Sequence, residues 1–293
     1  MSSQQLNGFL NINKPKGITS FDVCQKLKKK LNIKKIGHSG TLDPNATGVM
    51  QIALGDATKL LPILEDHNKT YLATIKFGIL TDTLDPDGKI IKEEDVVNLS
   101  EAIIDEKIKE SLNQTSQLPP IYSAIKVNGK KLYEYAREGK EVDIKPREVK
   151  IYEATRVGSL ELKDGHFLVN VRLKVSKGFY VRSYVRDLAS SLNTIAIMSD
   201  LIREEIESFN IKDSISIEDV TIDNIISIEE VFAHFYRYEA ASYLVKLIKN
   251  GIELDERQLV INEPFTVYYN NKLIAIYKPY KENKYKIVKY LGD

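Results

Sequence analysis

Residues 36–48 read IGHSGTLDPNATG, a run with three glycines, a proline and several small hydroxyl side chains. No regular element persists through that composition, so a long constrained loop is expected. Its flanks are of the opposite kind. Upstream, FLNINKP (9–15) alternates as a short strand until Pro15 and Gly17 break it. A helix follows, capped by Thr19 or Ser20, with Phe21, Val23, Cys24, Leu27 and Leu31 at helical spacing and Lys26, Lys28, Lys29 and Lys30 mostly turned away. Downstream, Val49 to Leu54 suits a buried strand, and GDATKLLPILED starts a helix at Asp56 or Thr58. Unstructured loops of this length inside a compact fold are uncommon and mark functional segments.

The remaining chain mixes both element types. YLATIKFG (71–78) alternates as a strand, DPDG (85–88) is a turn, and SEAIIDEKIKESL (100–112) is an amphipathic helix capped by Ser100. Residues 117–149 carry proline breaks, an Asn128-Gly129 turn, three tyrosines and many basic side chains, which predicts an exposed, partly helical arm. Two alternating strands (148–157 and 166–176) and a helix (180–192) follow, and a Leu201 at helical spacing suggests core packing. Past residue 234, a helix from Tyr236 to Lys249 ending at Asn250-Gly251 precedes three short strands. The expected fold class is α+β: a mixed or antiparallel sheet flanked by helices over 1–235, with 117–149 as an arm, then a small β-rich domain over 236–293.

With 43% hydrophobic and 28% charged residues, the chain is expected to be an ordinary soluble globular protein of about two domains. Its amino terminus lacks the basic region and apolar stretch of a leader, and no apolar run approaches the roughly 18 residues a membrane helix needs, so a cytoplasmic location without membrane contact is expected. The single Cys24 and four histidines form no ligand clusters, and no metal is expected. Net charge is +1, but it is unevenly spread: +6 over 1–60, −6 over 61–120, +6 over 121–190, −8 over 191–234 and +3 over 235–293. Separated basic blocks suit a polyanion tracked along one face, although solvated surface explains them too. Phosphate-cradling, dinucleotide, serine-hydrolase and zinc-protease motifs are absent, which leaves chemistry that needs only a carboxylate and a shaped pocket. Gly37-His38-Ser39-Gly40 fits the GxxG of RNA-binding KH modules, but such a loop should join two helices. Asp43 is the candidate carboxylate, because glycines let backbone approach a ligand there. Asp-Pro also initiates turns, and a second copy, Asp85-Pro86, sits in an evident turn.

Several motifs together decide among these readings. GFLNINKPKGITSFDV (8–23), GHSGTLDPNATG (37–48), GDATK (55–59), HNKTY (67–71), FGILTDTLDPDGKI (77–90), PPIYSAIKVNGKKLYEYAREG (119–139), SKGFYVRSYVRDLA (176–189) and AIMSDLIREEIESF (196–209) resemble, in order and spacing, the TruB family of tRNA pseudouridine synthases. The unit from about 236 resembles, more loosely, the PUA-type RNA-binding domain that follows the catalytic domain in that family.

The resemblance implies an enzyme that detaches the uracil of uridine 55 in the T loop of tRNA and rejoins it through C5, with no cofactor. It makes Asp43 the catalytic aspartate, Arg182 the arginine that pairs with it, and Tyr71 the tyrosine that stacks on the flipped base and takes or relays the C5 proton. It places Tyr180 and Leu201 in the base pocket and sends His38 into the RNA loop. An ionised carboxylate near the sugar needs its pKa held low, for which a nearby cation is the usual device. Lys14, Lys126, Lys130, Lys131 and Arg137 are expected to contact the tRNA T arm, the sole partner, with no guide RNA; a monomer is the default. Ser39, Asn45, Ser208 and the acidic LIREE (201–205) depart from the family pattern, Asn45 bearing on loop packing beside Asp43. Two other readings stand beside this one: a non-catalytic RNA-folding protein on the same scaffold, and the related guide-RNA-dependent rRNA synthase.

Overall fold

The computed structural model describes residues 6–64 and 68–292. The first five residues, Glu65, Asp66 and His67 of the expected helix end and HNKTY motif, and Asp293 lie outside it. In chain order the elements that place the site are β1 (Gly8–Lys14), α1 (Ser20–Lys30), β2 (Ile36–His38), β3 (Thr47–Leu54), β4 (Lys69–Phe77), α2 (Glu101–Ser111), β5 (Ile151–Lys163), β6 (His166–Val175), α3 (Val181–Ser191) and β7 (Ala196–Ile206).

The central sheet runs β1-β3-β7-β4-β6-β5, with β2 added to β3. Its pairings are antiparallel except β3 with β7, which run parallel where Ile202 faces Thr47 and Arg203 faces Gly48. Gly48 is required there: at φ +101° a Cβ would stand 2.3 Å from the Arg203 carbonyl oxygen. Alternation then sorts residues by face. Leu10, Ile12, Met50, Ile52, Tyr71 and Ala73 join a core with Val23 and Leu27 of α1, Ile104 and Ile108 of α2, and Val185 and Leu188 of α3. Phe9, Val49 and Ala53 point the other way, toward Phe232 and Ile276.

Thr19, rather than Ser20, caps α1: its hydroxyl accepts from the Asp22 amide at 3.0 Å while the Asp22 carboxylate accepts from the Thr19 amide at 2.9 Å. Such a capping box is worth about 1 kcal/mol. Several expectations are corrected. Phe21 is exposed rather than part of the buried stripe of α1. Ile36–His38 pairs with β3, so the loop begins later than its composition suggested. GDATKL winds as a 3-10 helix, Gly55–Leu60. Leu201 lies on a strand, not at a helical position.

Beyond the central sheet come β8 (Tyr236–Glu239), α4 (Ser242–Lys249), β9 (Leu254–Asp255), β10 (Phe265–Tyr269), β11 (Lys272–Lys281) and β12 (Lys284–Tyr290). The expected helix from Tyr236 is therefore a strand followed by a shorter helix, because Tyr236–Glu239 pairs parallel with Phe265–Tyr268 and tertiary pairing overrides local propensity. This sheet, in the order β8-β10-β11-β12-β9, has its own core of Leu244, Ile248, Phe265, Tyr277 and Tyr285. It is also tied to the rest of the chain, through Ile276 to the back of the central sheet and through Lys289 to Asp56 of the 3-10 helix at 2.7 Å. Among the described residues no helix is long and apolar enough to cross a membrane.

Candidate active site

The loop between β2 and β3 is clamped from beneath. Lys14, at the end of β1, has 0% exposure, and its ammonium donates to the carbonyl oxygens of Pro15 (3.0 Å), Pro44 (2.9 Å) and Ala46 (2.7 Å). An ammonium has three donors, so all are used on backbone around Asp43. This corrects the placing of Lys14 among the RNA-contacting lysines: it is a buried support of the loop. Burial pushes its pKa down to about 8, partly offset by Asp43, while Arg203 pushes the same way. Ser20 completes the clamp, its hydroxyl donating to the Leu42 carbonyl at 3.0 Å and accepting from the Leu42 amide at 2.9 Å.

Arg182, in the first turn of α3, meets the carboxylate so presented. One guanidinium nitrogen lies 3.0 Å from Asp43 Oδ2 and donates to the Tyr122 carbonyl at 3.0 Å; the other donates to the Thr83 carbonyl at 3.0 Å and lies 3.4 Å from Asp85 Oδ2. A planar fork with these partners holds one orientation. Asp85 is buried and fixed in turn by the Thr83 hydroxyl and the Asp87 amide. From the sequence, Asp85-Pro86 reads as a turn within the 77–90 motif, with no contact to Arg182 implied. The available signal was the tetrapeptide TLDP, which occurs at 41–44 and again at 83–86. Asn45, one of the departures noted above, donates through its side-chain amide to Asp87, linking the two TLDP segments.

The pair lies in a cavity of about 430 Å³ lined by all six expected catalytic and substrate-binding residues: His38, Asp43, Tyr71, Tyr180, Arg182 and Leu201. Phe179 and Met198 add apolar wall, and Lys69, Ser123 and Arg203 add polar groups that sequence reading did not single out. Tyr71 stands on β4 directly opposite Arg203 of β7, and Leu201 opposite Ala73, so two adjacent strands fix both side chains. Arg203 is fully buried; it donates to the Val49 carbonyl at 2.7 Å and the Gly40 carbonyl at 3.2 Å, and it hydrogen-bonds Tyr71. Tyr180 precedes α3, its amide bonded to the Gln117 side chain at 2.8 Å.

Burial pushes the Asp43 carboxyl above its ordinary value; Arg182 opposes that, Asp85 and Asp87 reinforce it, and Lys14 opposes it. The expected cation is present, but in the free protein it does not hold the pKa low as the sequence reading required. Burial and Arg203 hold the His38 imidazole below its usual value, against a Gly40 backbone contact. Burial also raises the Tyr180 phenol, against the opposing influence of the nearby Ser123 hydroxyl.

The expected arm residues lie in short elements around a hairpin of Lys126–Val127 and Lys130–Lys131, turned at Asn128-Gly129, and a helix Leu132–Arg137. Lys126 and Arg137 are exposed. Lys131 and Arg137 sit over the Tyr133 ring, and Lys130 already pairs with Glu138.

A model of the TruB family pseudouridylate synthase N-terminal domain matches residues 28–181. The chain belongs to the TruB family. Among curated relatives, tRNA pseudouridine synthase B of Clostridium tetani is 39% identical over 294 residues, covering 98% of this chain and 100% of that protein. The protein of the same name from Acholeplasma laidlawii is 39% identical over 291 residues, with 98% and 100% covered. In fold, the chain is similar to a solved Cbf5-Nop10-Gar1 complex, with a TM-score of 0.72 at 23% identity over 95% of this chain and 80% of that one. This TruB-family chain thus carries Asp43 within the matched region, whereas Arg182, Leu201 and Arg203 line the cavity from beyond its end.

Proposed function

We propose that this chain isomerises uridine 55 in the T loop of tRNA to pseudouridine, as a cytoplasmic monomer that needs no guide RNA. The observation that carries the reading is the Asp43–Arg182 pair, 3.0 Å apart, in a cavity walled by Tyr71, Tyr180 and Leu201. The relatives that match along nearly the whole chain are named tRNA pseudouridine synthase B, which supports tRNA as substrate.

In this reading the target uridine leaves its stack, at a cost of a few kcal/mol, and aromatic and apolar walls replace the lost stacking. The Asp43 carboxylate serves at the ribose while the N1–C1′ bond breaks and the C5–C1′ bond forms. Tyr71 takes or relays the C5 proton, and N1 gains one, so the reaction is an isomerisation with no net loss of atoms. Arg182 orients Asp43 and favours its ionised form. Residues 1–235 carry this chemistry; 117–149 clamps the T arm through Lys126, Lys130, Lys131 and Arg137, and 236–293 adds RNA contact.

The test is tritium release from a T-arm hairpin labelled at C5 of the target uridine, without guide RNA, for the wild type and for Asp43→Asn. Release by the wild type alone, with RNA binding kept in both, supports the proposal. Binding without release by either would favour an RNA-folding protein instead.

A further inference from the structure

A second recess, of about 380 Å³, adjoins the catalytic cavity, and His38 belongs to the wall of both. Phe21, Lys28, Lys34, Lys35 and Thr58 line it, and none of its lining side chains is acidic. Its size falls within the range of pockets that hold a ligand, roughly 300–1,000 Å³.

Two features of the recess are unexplained by folding. Phe21 is 66% exposed although it sits on α1, whose Val23, Cys24 and Leu27 are buried; it contributes little to the core and presents a free aromatic face. Lys28 and Lys34 are exposed, and neither pairs with a carboxylate among the described residues, whereas Lys35 is held by Asp56 at 3.2 Å. An aromatic face beside unpaired cations is the combination that binds single-stranded nucleic acid: the ring stacks on a base and the ammonium groups neutralise phosphates. The nucleotide joined to a base flipped into the neighbouring cavity is held by its backbone close to the shared His38 wall.

We propose that this recess receives a nucleotide next to the one in the catalytic cavity, with Phe21 stacking on its base and Lys28 and Lys34 contacting the adjoining phosphates. The inference rests on the RNA-binding part of the function proposed above and not on the isomerisation.

The experiment measures affinity of the full-length protein for a T-arm hairpin by filter binding between about 50 and 200 mM salt. It compares the wild type with Phe21→Ala and with the double variant Lys28→Gln/Lys34→Gln. All three side chains are exposed, and thermal midpoints check that the fold is kept. Phe21→Ala is expected to weaken binding roughly fivefold or more, the loss of one stacked base. The double variant is expected to lower the log-log salt slope by about 1.4, or 0.7 for each single-strand phosphate. Wild-type affinity and slope in both variants would overturn the inference. So would a reduced slope with no effect of Phe21→Ala, since that leaves only a peripheral phosphate contact. Tritium release by the wild type is scored separately: if it fails while the variants still lose affinity, the isomerisation reading falls and the recess stands.

Discussion

Asp43 and Arg182 meet at 3.0 Å with unequal exposure: 41% for the aspartate side chain and 8% for the arginine. The arginine is the fixed member. Two carbonyl oxygens and Asp85 hold it from behind, so Asp43 is the partner that reaches the cavity. The Asp43 carboxylate is thereby oriented by a cation that is itself already positioned, which is the arrangement electrostatic preorganisation requires.

Replacing the fork should be costly even with charge kept. Arg182→Lys retains a cation but cannot serve two carbonyls and a carboxylate in one plane. We expect single-turnover pseudouridine formation to fall about 100-fold, the order lost when one preorganised donor is removed, while hairpin affinity stays near that of the wild type. An unchanged rate would show that geometry at Arg182 is unimportant.

Asp85 should tune the acid side of the pH profile. Its charge helps to raise the Asp43 pKa, so Asp85→Asn should move the acidic limb of the single-turnover rate to lower pH while also slackening Arg182 and lowering the plateau. A limb that moves to higher pH would contradict this electrostatic account.

Asp43 should also cost the fold stability. Its folded pKa lies above the ordinary 3.8, so ionisation is less favourable in the folded chain than in the unfolded one. The penalty is fully present above the raised value and is relieved as pH falls toward 3.8. Asp43→Asn should therefore unfold at a higher temperature than the wild type near pH 7, with the gap narrowing as the solution is acidified. Thermal melts across that range check it.

Lys14 predicts a basic limb. Its folded pKa is about 8 against an ordinary 10.5, so the charged form costs stability below about pH 8 and that cost is relieved as pH rises toward 10.5. The neutral amine, however, has two donors for three carbonyls, and the grip on Pro44 and Ala46 loosens. The rate should fall above about pH 8 without a matching fall in stability from this group. Lys14→Gln should destabilise the protein by about 3 kcal/mol, as expected when a buried charged donor is lost; chemical denaturation would measure it.

Much of the site was legible because motif register and local composition point at the same loop. Val49 to Leu54, the helix after Ser100 and the pairing of Arg182 with Asp43 follow from patterns a few residues long or from the family resemblance. What escaped depends on long-range contact. Lys14 looks like a phosphate-binding lysine until the loop folds over it. Asp85 looks like any Asp-Pro turn until α3 brings Arg182 to it, and Tyr236–Glu239 reads as helix until β10 supplies a partner strand. Arg203 gave no local sign of its role, because its burial is set by β3 and β4 on either side.

The apolar seam joining Phe9 and Val49 to Ile276 bears on how the chain can be dissected. Those two residues occupy β1 and β3, the strands that end in Lys14 and begin beside the Asp43 loop. Cutting the chain after residue 235 would uncover the back of that strand pair and unfasten Lys289 from Asp56. A truncated protein that lost activity would therefore be reporting a loosened catalytic floor as much as a missing RNA contact, and the two are better separated by surface substitutions on the distal sheet.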